Sequence, residues 1–359
     1  MRGTADFSRN NLDCLRLILA SIVVMFHLCG LTGIHSLSAY DRYFSADCAV
    51  KGFFVISGLL IYRSYLHSSS FISYLEKRAR RIYPAYFTAV AFAAVALCLV
   101  STLPAQQYFG AGFWKYLGAN LLFLNFLVPT LPGVFTSNGT LAVNGALWTL
   151  KIEIAFYLFV PVMHYLFGRF GTRRVMGTIF SFSFLWKYGF AFLASITSSR
   201  SVYSIDGSRS IYYKLEAQFP AQLVYFCAGI SLLLYFDTLK LHFRSIACIT
   251  LGVFLLDHCF KGGFLDVVWI SGVVFVFGFW RYLGNFSKYG DFSYGVYIVH
   301  FPILQTLIAL GLATLNPALF VSLSLFFIGL GAFLMWNLVE RRFLASSSHY
   351  RQVFSDTRE

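Results

Sequence analysis

Long apolar stretches recur from one end of this chain to the other, and they constrain its fold more than any other feature. Each covers about 17 to 25 residues, which is enough for a helix to cross the hydrocarbon core of a bilayer. Only 12% of the residues are charged and 58% are hydrophobic, whereas a soluble domain carries about twice that charge. The sequence therefore predicts an all-α fold, a polytopic bundle of transmembrane helices.

Ten stretches are predicted to span the membrane, and the positive-inside rule decides how an eleventh, shorter piece at 114–130 is treated. If that piece only dips into the membrane, nineteen of the 28 Lys and Arg residues lie on one side and six on the other. We therefore predict ten crossings, a re-entrant or interfacial helix at 114–130, and both termini on the cytoplasmic side of a bacterial inner membrane. Residues 1–344 form the membrane domain, and 345–359 form a short cytoplasmic tail. The predicted spans lie near 12–34, 47–66, 82–102, 146–168, 174–196, 219–236, 243–259, 264–280, 292–312 and 318–339.

The first span carries two ionisable residues, Arg16 and His27. Eleven positions at about 100° each place both side chains on one helix face, about 16 Å apart along the axis. Singly, Arg16 could be a topology-setting arginine that pairs with Asp13, and His27 could bridge two helices. Together they favour a cavity that reaches from the inner surface to the midplane, where a histidine can take a proton from a hydroxyl group.

Four cations stand within five residues where the third span begins: Lys77, Arg78, Arg80 and Arg81. Lys77 and Arg80 fit an anchor for anionic lipid. Arg78 and Arg81 are three residues apart and share a helix face, a good geometry for bidentate hydrogen bonds to phosphate. We expect a phosphate-bearing cytoplasmic ligand there. The net charge of +13 is attributed to membrane topology, and no nucleic-acid partner is predicted.

Polar residues in the other spans leave alternatives open. Asp47 and Lys51 could form a neutralised interface pair, and Ser57 and Gly58 could serve close helix packing. Glu153 either pairs with a cation such as Lys151 or orients an acceptor hydroxyl or a catalytic imidazole.

Two further segments complete the set of polar residues. His300 shares a helix face with Ser293, and Glu340 is expected at a solvated helix end. The seven cysteines stand singly, so neither a disulfide nor a metal site is predicted.

These segments, in this order, resemble the acyltransferase type 3 family of integral-membrane O-acyltransferases. The resemblance covers essentially the whole chain, including the Glu340-Arg341 ending. The matching pieces are the Arg16 and His27 pair, the run from Phe53 to Gly58, Arg78 and Arg81 before Ile82-Tyr83-Pro84, Trp148 to Glu153 with Tyr157 and Pro161, and Ser293 to His300 with Pro302.

The resemblance implies an enzyme that moves an acyl group, usually acetyl, from cytoplasmic acyl-coenzyme A to a sugar hydroxyl on the far side of the membrane. Acyl-coenzyme A is then a donor substrate and not a resident cofactor, and the other partners are a glycan or lipid-linked sugar and membrane lipids. His27 acts as general base, the preferred route, or carries the acyl group itself. We assign catalysis to His27, Glu153 and Arg16, donor binding to Arg78, Arg81, Arg16 and Ser57, and acceptor binding to Trp148, Tyr157, His300, Lys51 and Asp47.

A second hypothesis is a proton-coupled transporter or a flippase of a lipid-linked sugar. It would use His27, Glu153 and His300 as a proton relay. The pair formed by Arg78 and Arg81 favours the enzyme.

Overall fold

The computed structural model describes residues 9–34, 43–197, 211–260 and 263–344, and the regular structure in these ranges is entirely helical. Two 3₁₀ turns cover Leu97–Val100 and Gly145–Leu147, and a π-helical turn covers Trp336–Glu340. The helices are α1 Leu12–Gly30, α2 Ala46–Leu66, α3 Phe71–Ala96, α4 Ala105–Tyr108, α5 Ala111–Leu121, α6 Trp148–Phe170, α7 Thr172–Thr197, α8 Ile211–Glu216, α9 Phe219–Leu234, α10 Phe236–Leu241, α11 Phe243–Phe260, α12 Asp266–Phe279, α13 Phe292–Ala309, α14 Leu312–Leu315, α15 Pro317–Met335 and α16 Arg341–Phe343.

The predicted helical membrane bundle is confirmed. Among the described residues, nine helices are long and apolar enough to cross a membrane, and they match nine of the ten predicted spans. The tenth predicted span, 264–280, is the 14-residue helix α12. The ambiguous piece at 114–130 contains the end of α5, whose 11 residues reach only about 16 Å and cannot cross a bilayer. The predicted tail, 345–359, lies outside the described residues.

The chain divides into two compact units. The first unit takes its described residues from Met1–Leu12, Lys51–Phe71 and Ile152–Tyr282, and the second from Asp13–Val50, Ile72–Lys151 and Leu283–Glu359.

In the first unit, α2 and α9 touch backbone to backbone at two glycines. A Cβ atom on Gly58 would lie 1.9 Å from the carbonyl oxygen of Phe226, and one on Gly229 would lie 1.9 Å from that of Val55. Only glycine fits at such a crossing, because backbone atoms cannot move aside cheaply. Phe226 also stacks on Phe156 of α6, with ring centroids 4.1 Å apart. The packing explanation of Gly58 is confirmed.

The short helix α12 runs parallel to α9 in the same unit. Asp266 at its beginning contacts Tyr225 of α9, and Phe279 at its end contacts Phe236, which follows α9. The two contacts are separated by about 20 Å of helix. This length alone does not make α12 a spanning helix; the directions of the helices in the second unit bear on that point.

In the second unit, α1 and α13 are also parallel. Arg16 contacts Asp291 next to the beginning of α13, and His27 contacts His300 further along. Two parallel spanning helices require an odd number of crossings between them, and six long helices plus α12 supply seven. An apolar cluster holds the far ends of these helices against α15; its buried members include Val24, Leu28, Leu304, Leu307, Phe320 and Ile328.

The glycine crossing yields a stability prediction. Gly58→Ala forces α2 away from α9, because the new methyl group would overlap a backbone carbonyl. We expect a loss of about 1–3 kcal/mol or more, measured as a lower thermal unfolding midpoint of the purified protein in detergent. Gly177→Ala in α7 is the matched control, since nothing lies within 4 Å of the added methyl group. Equal midpoints for the two variants would contradict the close contact.

Candidate active site

Two histidines from α1 and α13 meet in the second unit. The Nδ1 atom of His27 lies 3.0 Å from the Nε2 atom of His300, and the rings are stacked with an interplanar angle of 29°. The His300 residue has no exposed surface, whereas His27 is partly exposed. The sequence indicated both histidines but not their contact, and it assigned His300 to acceptor binding.

One backbone hydrogen bond of α13 is missing next to this pair. Pro302 has no N–H group, so the carbonyl oxygen of Ile298 loses its usual helical donor. The side chain of Asn144 donates to that oxygen at 2.8 Å, and its own oxygen accepts from the backbone N–H of Ala146 at 3.2 Å. One amide therefore ties the 3₁₀ turn before α6 to α13 at the level of the histidines.

More contacts hold the segment before α6 along α13. Asn138 donates to the Gln305 side chain at 2.9 Å, and Gln305 donates to the carbonyl oxygens of Thr140 and Ala142 at 2.7 and 3.0 Å. Gln305 is 1% exposed. Sequence reasoning missed these amides, although a glutamine inside a predicted span signals a required partner.

The beginning of α6 is also bound to α13. The hydroxyl groups of Thr149 and Tyr297 lie 2.8 Å apart, and a Cβ atom on Gly145 would lie 2.7 Å from the ring of Phe301. The Phe301 ring in turn meets the His27 ring edge-on, with centroids 5.1 Å apart. Trp148, the first residue of α6, is partly buried there.

A buried ionic cluster lies where α13 begins. Asp291 pairs with Arg16 at 2.6 Å and with Arg81, and its other oxygen accepts from the Ser293 hydroxyl at 2.5 Å. Arg81 also pairs with Glu340 at 3.2 Å. Burial opposes ionisation, but the two guanidinium groups hold the pKa of the Asp291 carboxyl well below its usual range. Two cations thus face two carboxyl groups.

Two expectations about this cluster change. Glu340 does not lie at a solvated helix end, because it is 2% exposed and pairs with Arg81. It is the last residue of the π-helical turn. The main partner of Arg16 is Asp291, because Asp13 lies at 4.0 Å. Asp291 was missed, although an Asp two residues before a Ser at the start of an apolar run is a helix-cap signal.

The cations of α3 differ in exposure, and Lys77 is partly buried like Arg78. Arg80 pairs with Glu76 at 2.6 Å, and both side chains are about half exposed. Arg78 and Arg81 are both partly buried. Binding of phosphate by Arg78 and Arg81 stays a prediction.

The remaining predicted residues have these surroundings. Glu153 accepts from the Tyr157 hydroxyl at 2.7 Å, one turn along α6, whereas Lys151 lies over the Phe126 ring, 4.2 Å from its centroid. Asp47 is exposed and Ser57 is partly buried on α2. Their functional roles stay predictions.

Lys51 belongs to a buried cluster in the first unit. Its Nζ atom lies 2.9 Å from Oδ2 of Asp266, the first residue of α12. The same oxygen accepts from Lys187 at 2.8 Å and from the Tyr225 hydroxyl at 2.6 Å. The sequence suggested Asp47 as a partner of Lys51 and gave no sign of this cluster.

A family model described as an acyltransferase domain matches residues 9–337, nearly the whole chain. The chain belongs to the acyltransferase type 3 family. The acyltransferase is 25% identical over 326 residues to nodulation protein 10 of Rhizobium leguminosarum bv. viciae, covering 84% of this chain and 85% of that protein. It is 26% identical over 362 residues to an O-acetyl transferase of Shigella phage Sf6, covering 94% and 97%. No solved structure gives a significant match.

The ionic cluster of the acyltransferase predicts a large effect of Asp291→Asn. The change leaves two buried arginines facing one carboxyl group, and breaking a buried ion pair costs about 3–5 kcal/mol. Glu76→Gln is the control, because its ion pair with Arg80 is half exposed and is worth about 0–1 kcal/mol. Thermal unfolding in detergent measures both. Similar midpoints would show that Asp291 does not hold the arginines.

The amide opposite Pro302 gives a second prediction. Asn144→Asp keeps an acceptor for Ala146 but turns the donor to Ile298 into an oxygen, so two acceptors face each other. We expect a loss of about 1–3 kcal/mol in unfolding free energy. Asn337→Asp serves as control, since Asn337 donates only within its own helix, to Phe333. The idea fails if Asn144→Asp unfolds at the same temperature as Asn337→Asp.

Proposed function

We propose that this acyltransferase transfers an acyl group, preferably acetyl, from cytoplasmic acyl-coenzyme A to a hydroxyl group of a glycan or lipid-linked sugar. The observation that carries the proposal is the contact of His27 with His300, eleven residues along α1 from the ionic pair of Arg16 with Asp291. His27 is partly exposed, as a base that must reach its substrate has to be. Family membership and the name of the phage relative support O-acetyl transfer.

His27 acts as general base in the proposed reaction. The acceptor oxygen attacks the thioester carbonyl carbon while His27 takes the hydroxyl proton. The new C–O bond forms, the C–S bond breaks, and the coenzyme A sulfur leaves with the proton that His27 returns. The imidazole ends the cycle unchanged. One base suffices when both substrates meet at this ring, so an acyl-imidazole intermediate is the less economical route.

The donor is proposed to bind through Arg78, Arg81, Arg16 and Ser57. Arg16 and Arg81 already pair with carboxyl groups. Their proposed contribution to donor binding is therefore N–H groups held in fixed directions, and not net positive charge. Arg78 lies three residues before Arg81 and so shares its helix face. We assign Arg78 to neutralise the negative charge of the phosphates. Ser57 is assigned to the thioester oxygen.

The acceptor is proposed to bind through Trp148, Tyr157, Glu153, Lys51 and Asp47. The hydrogen bond from Tyr157 to Glu153 supports a role for the carboxylate in orienting a hydroxyl group. We further propose a bacterial inner membrane location with both termini cytoplasmic. The excess of Lys and Arg on one side and the even number of crossings support it.

His27→Ala tests this proposal. We expect acyl transfer to fall by about 100-fold or more, the contribution of a general base, with the protein still present in the membrane. Mass spectrometry of surface glycans from cells with and without the chain measures acylation, and release of coenzyme A thiol measures donor use. His242→Ala is the control, because His242 is an exposed imidazole in contact with Thr238. Unchanged acylation in His27→Ala cells would refute the role of His27, and transport without acyl-coenzyme A would favour the transporter.

A further inference from the structure

We propose that His300 is a positioning residue: it fixes His27 in the tautomer whose Nε2 atom acts as the base. This inference rests on the proposed function and adds the atom that does the chemistry. It also gives His300 a different role from acceptor binding, for which the sequence alone made it a candidate.

The backbone of α13 sets the tautomer of His300. The Nδ1 atom of this ring lies 2.7 Å from the carbonyl oxygen of Tyr297 and 3.2 Å from that of Val296. A carbonyl oxygen can only accept a hydrogen bond, so Nδ1 must carry the proton. Both carbonyls belong to the helix that carries His300, so this arrangement needs no other segment.

The tautomer of His300 then sets that of His27. In a neutral imidazole with a protonated Nδ1, the Nε2 atom is an acceptor. The Nε2 atom of His300 faces Nδ1 of His27 at 3.0 Å, and two acceptors would not approach so closely. The Nδ1 atom of His27 therefore donates, and the lone pair of the neutral ring lies on Nε2.

Packing keeps both rings in this orientation. Phe301 meets the rings of His27 and His300 edge-on, at centroid distances of 5.1 and 6.2 Å. Tyr297 meets His300 at 6.0 Å. The His300 ring is fully buried and both of its nitrogens are engaged. No nitrogen remains to bind an acceptor, which favours positioning over acceptor binding.

The arrangement has a chemical consequence for the transfer step. When Nε2 of His27 takes the hydroxyl proton, the N–H bond at Nδ1 donates from a cation, and a charge-assisted hydrogen bond to His300 is stronger than a neutral one. His300 thus stabilises the protonated base, as a third group orients the base of a catalytic triad. The same nitrogen would be the nucleophile if an acyl-imidazole formed.

Two amide variants of His300 separate positioning from packing. In His300→Gln the side-chain oxygen reaches the place of Nε2 and still accepts from His27. In His300→Asn the amide reaches only the place of Nδ1, where it keeps the contact with Tyr297 and loses the one with His27. We expect the kcat of the Gln variant to stay within about 10-fold of wild type. We expect the kcat of the Asn variant to fall by about 100-fold or more. The KM for the acceptor should be unchanged in both variants.

The outcomes are distinguishable. Equal activities of the two variants, or a more active Asn variant, would overturn the positioning role, as would a change confined to KM for the acceptor. If the wild type transfers no acyl group, or if His27→Ala remains active, the proposed function fails instead.

A direct measurement does not depend on activity. Nitrogen-15 NMR of histidine-labelled wild type in detergent reports which ring nitrogen is protonated, and the signal absent from His27→Ala identifies His27. We expect protonated Nδ1 and unprotonated Nε2 for the neutral ring. A proton on Nε2 would overturn the inference.

Discussion

A charged group buried among apolar helices must find its counter-charge inside the protein, and Asp291 meets this requirement for the second unit. Its carboxylate binds Arg16 of α1 and Arg81 of α3 and caps the helix that begins after it. Glu340, near the other end of the chain, also contacts Arg81. Because removing any one partner leaves an uncompensated charge, α1, α3 and α13 are bound to one another where the site begins.

Beyond the ionic cluster at Asp291, contacts along α13 hold the candidate site together. Tyr294 donates to the carbonyl of Ile82, His300 contacts His27, and Gln305 holds the segment before α6. Pro302 frees a carbonyl that Asn144 then satisfies. The polar groups of this helix therefore hold α1, α3 and the segment before α6, which carry residues assigned to chemistry.

The separation of the two polar layers matches the proposed reaction. Eleven residues of α1 separate Arg16 from His27, about 16 Å, so a donor whose phosphates rest near the arginines can extend an acyl group towards the imidazole. Ion pairs in the first layer and a hydrogen-bonded histidine pair in the second give these polar groups partners at low dielectric. The proposed donor, acyl-coenzyme A, carries its phosphates at one end and its acyl group at the other.

Hydropathy and helical period by themselves determined the membrane class, the spans, and the shared face of Arg16 and His27, since all of these depend on residues within one helix. The small size of Gly58 indicated a possible packing role, but its partner α9 was not predicted. Only the tertiary structure decided the partners of Arg16, His27 and Glu340, which lie 275, 273 and 259 positions away along the chain. No local pattern encodes which helices become neighbours, because that choice depends on how all apolar faces pack at once.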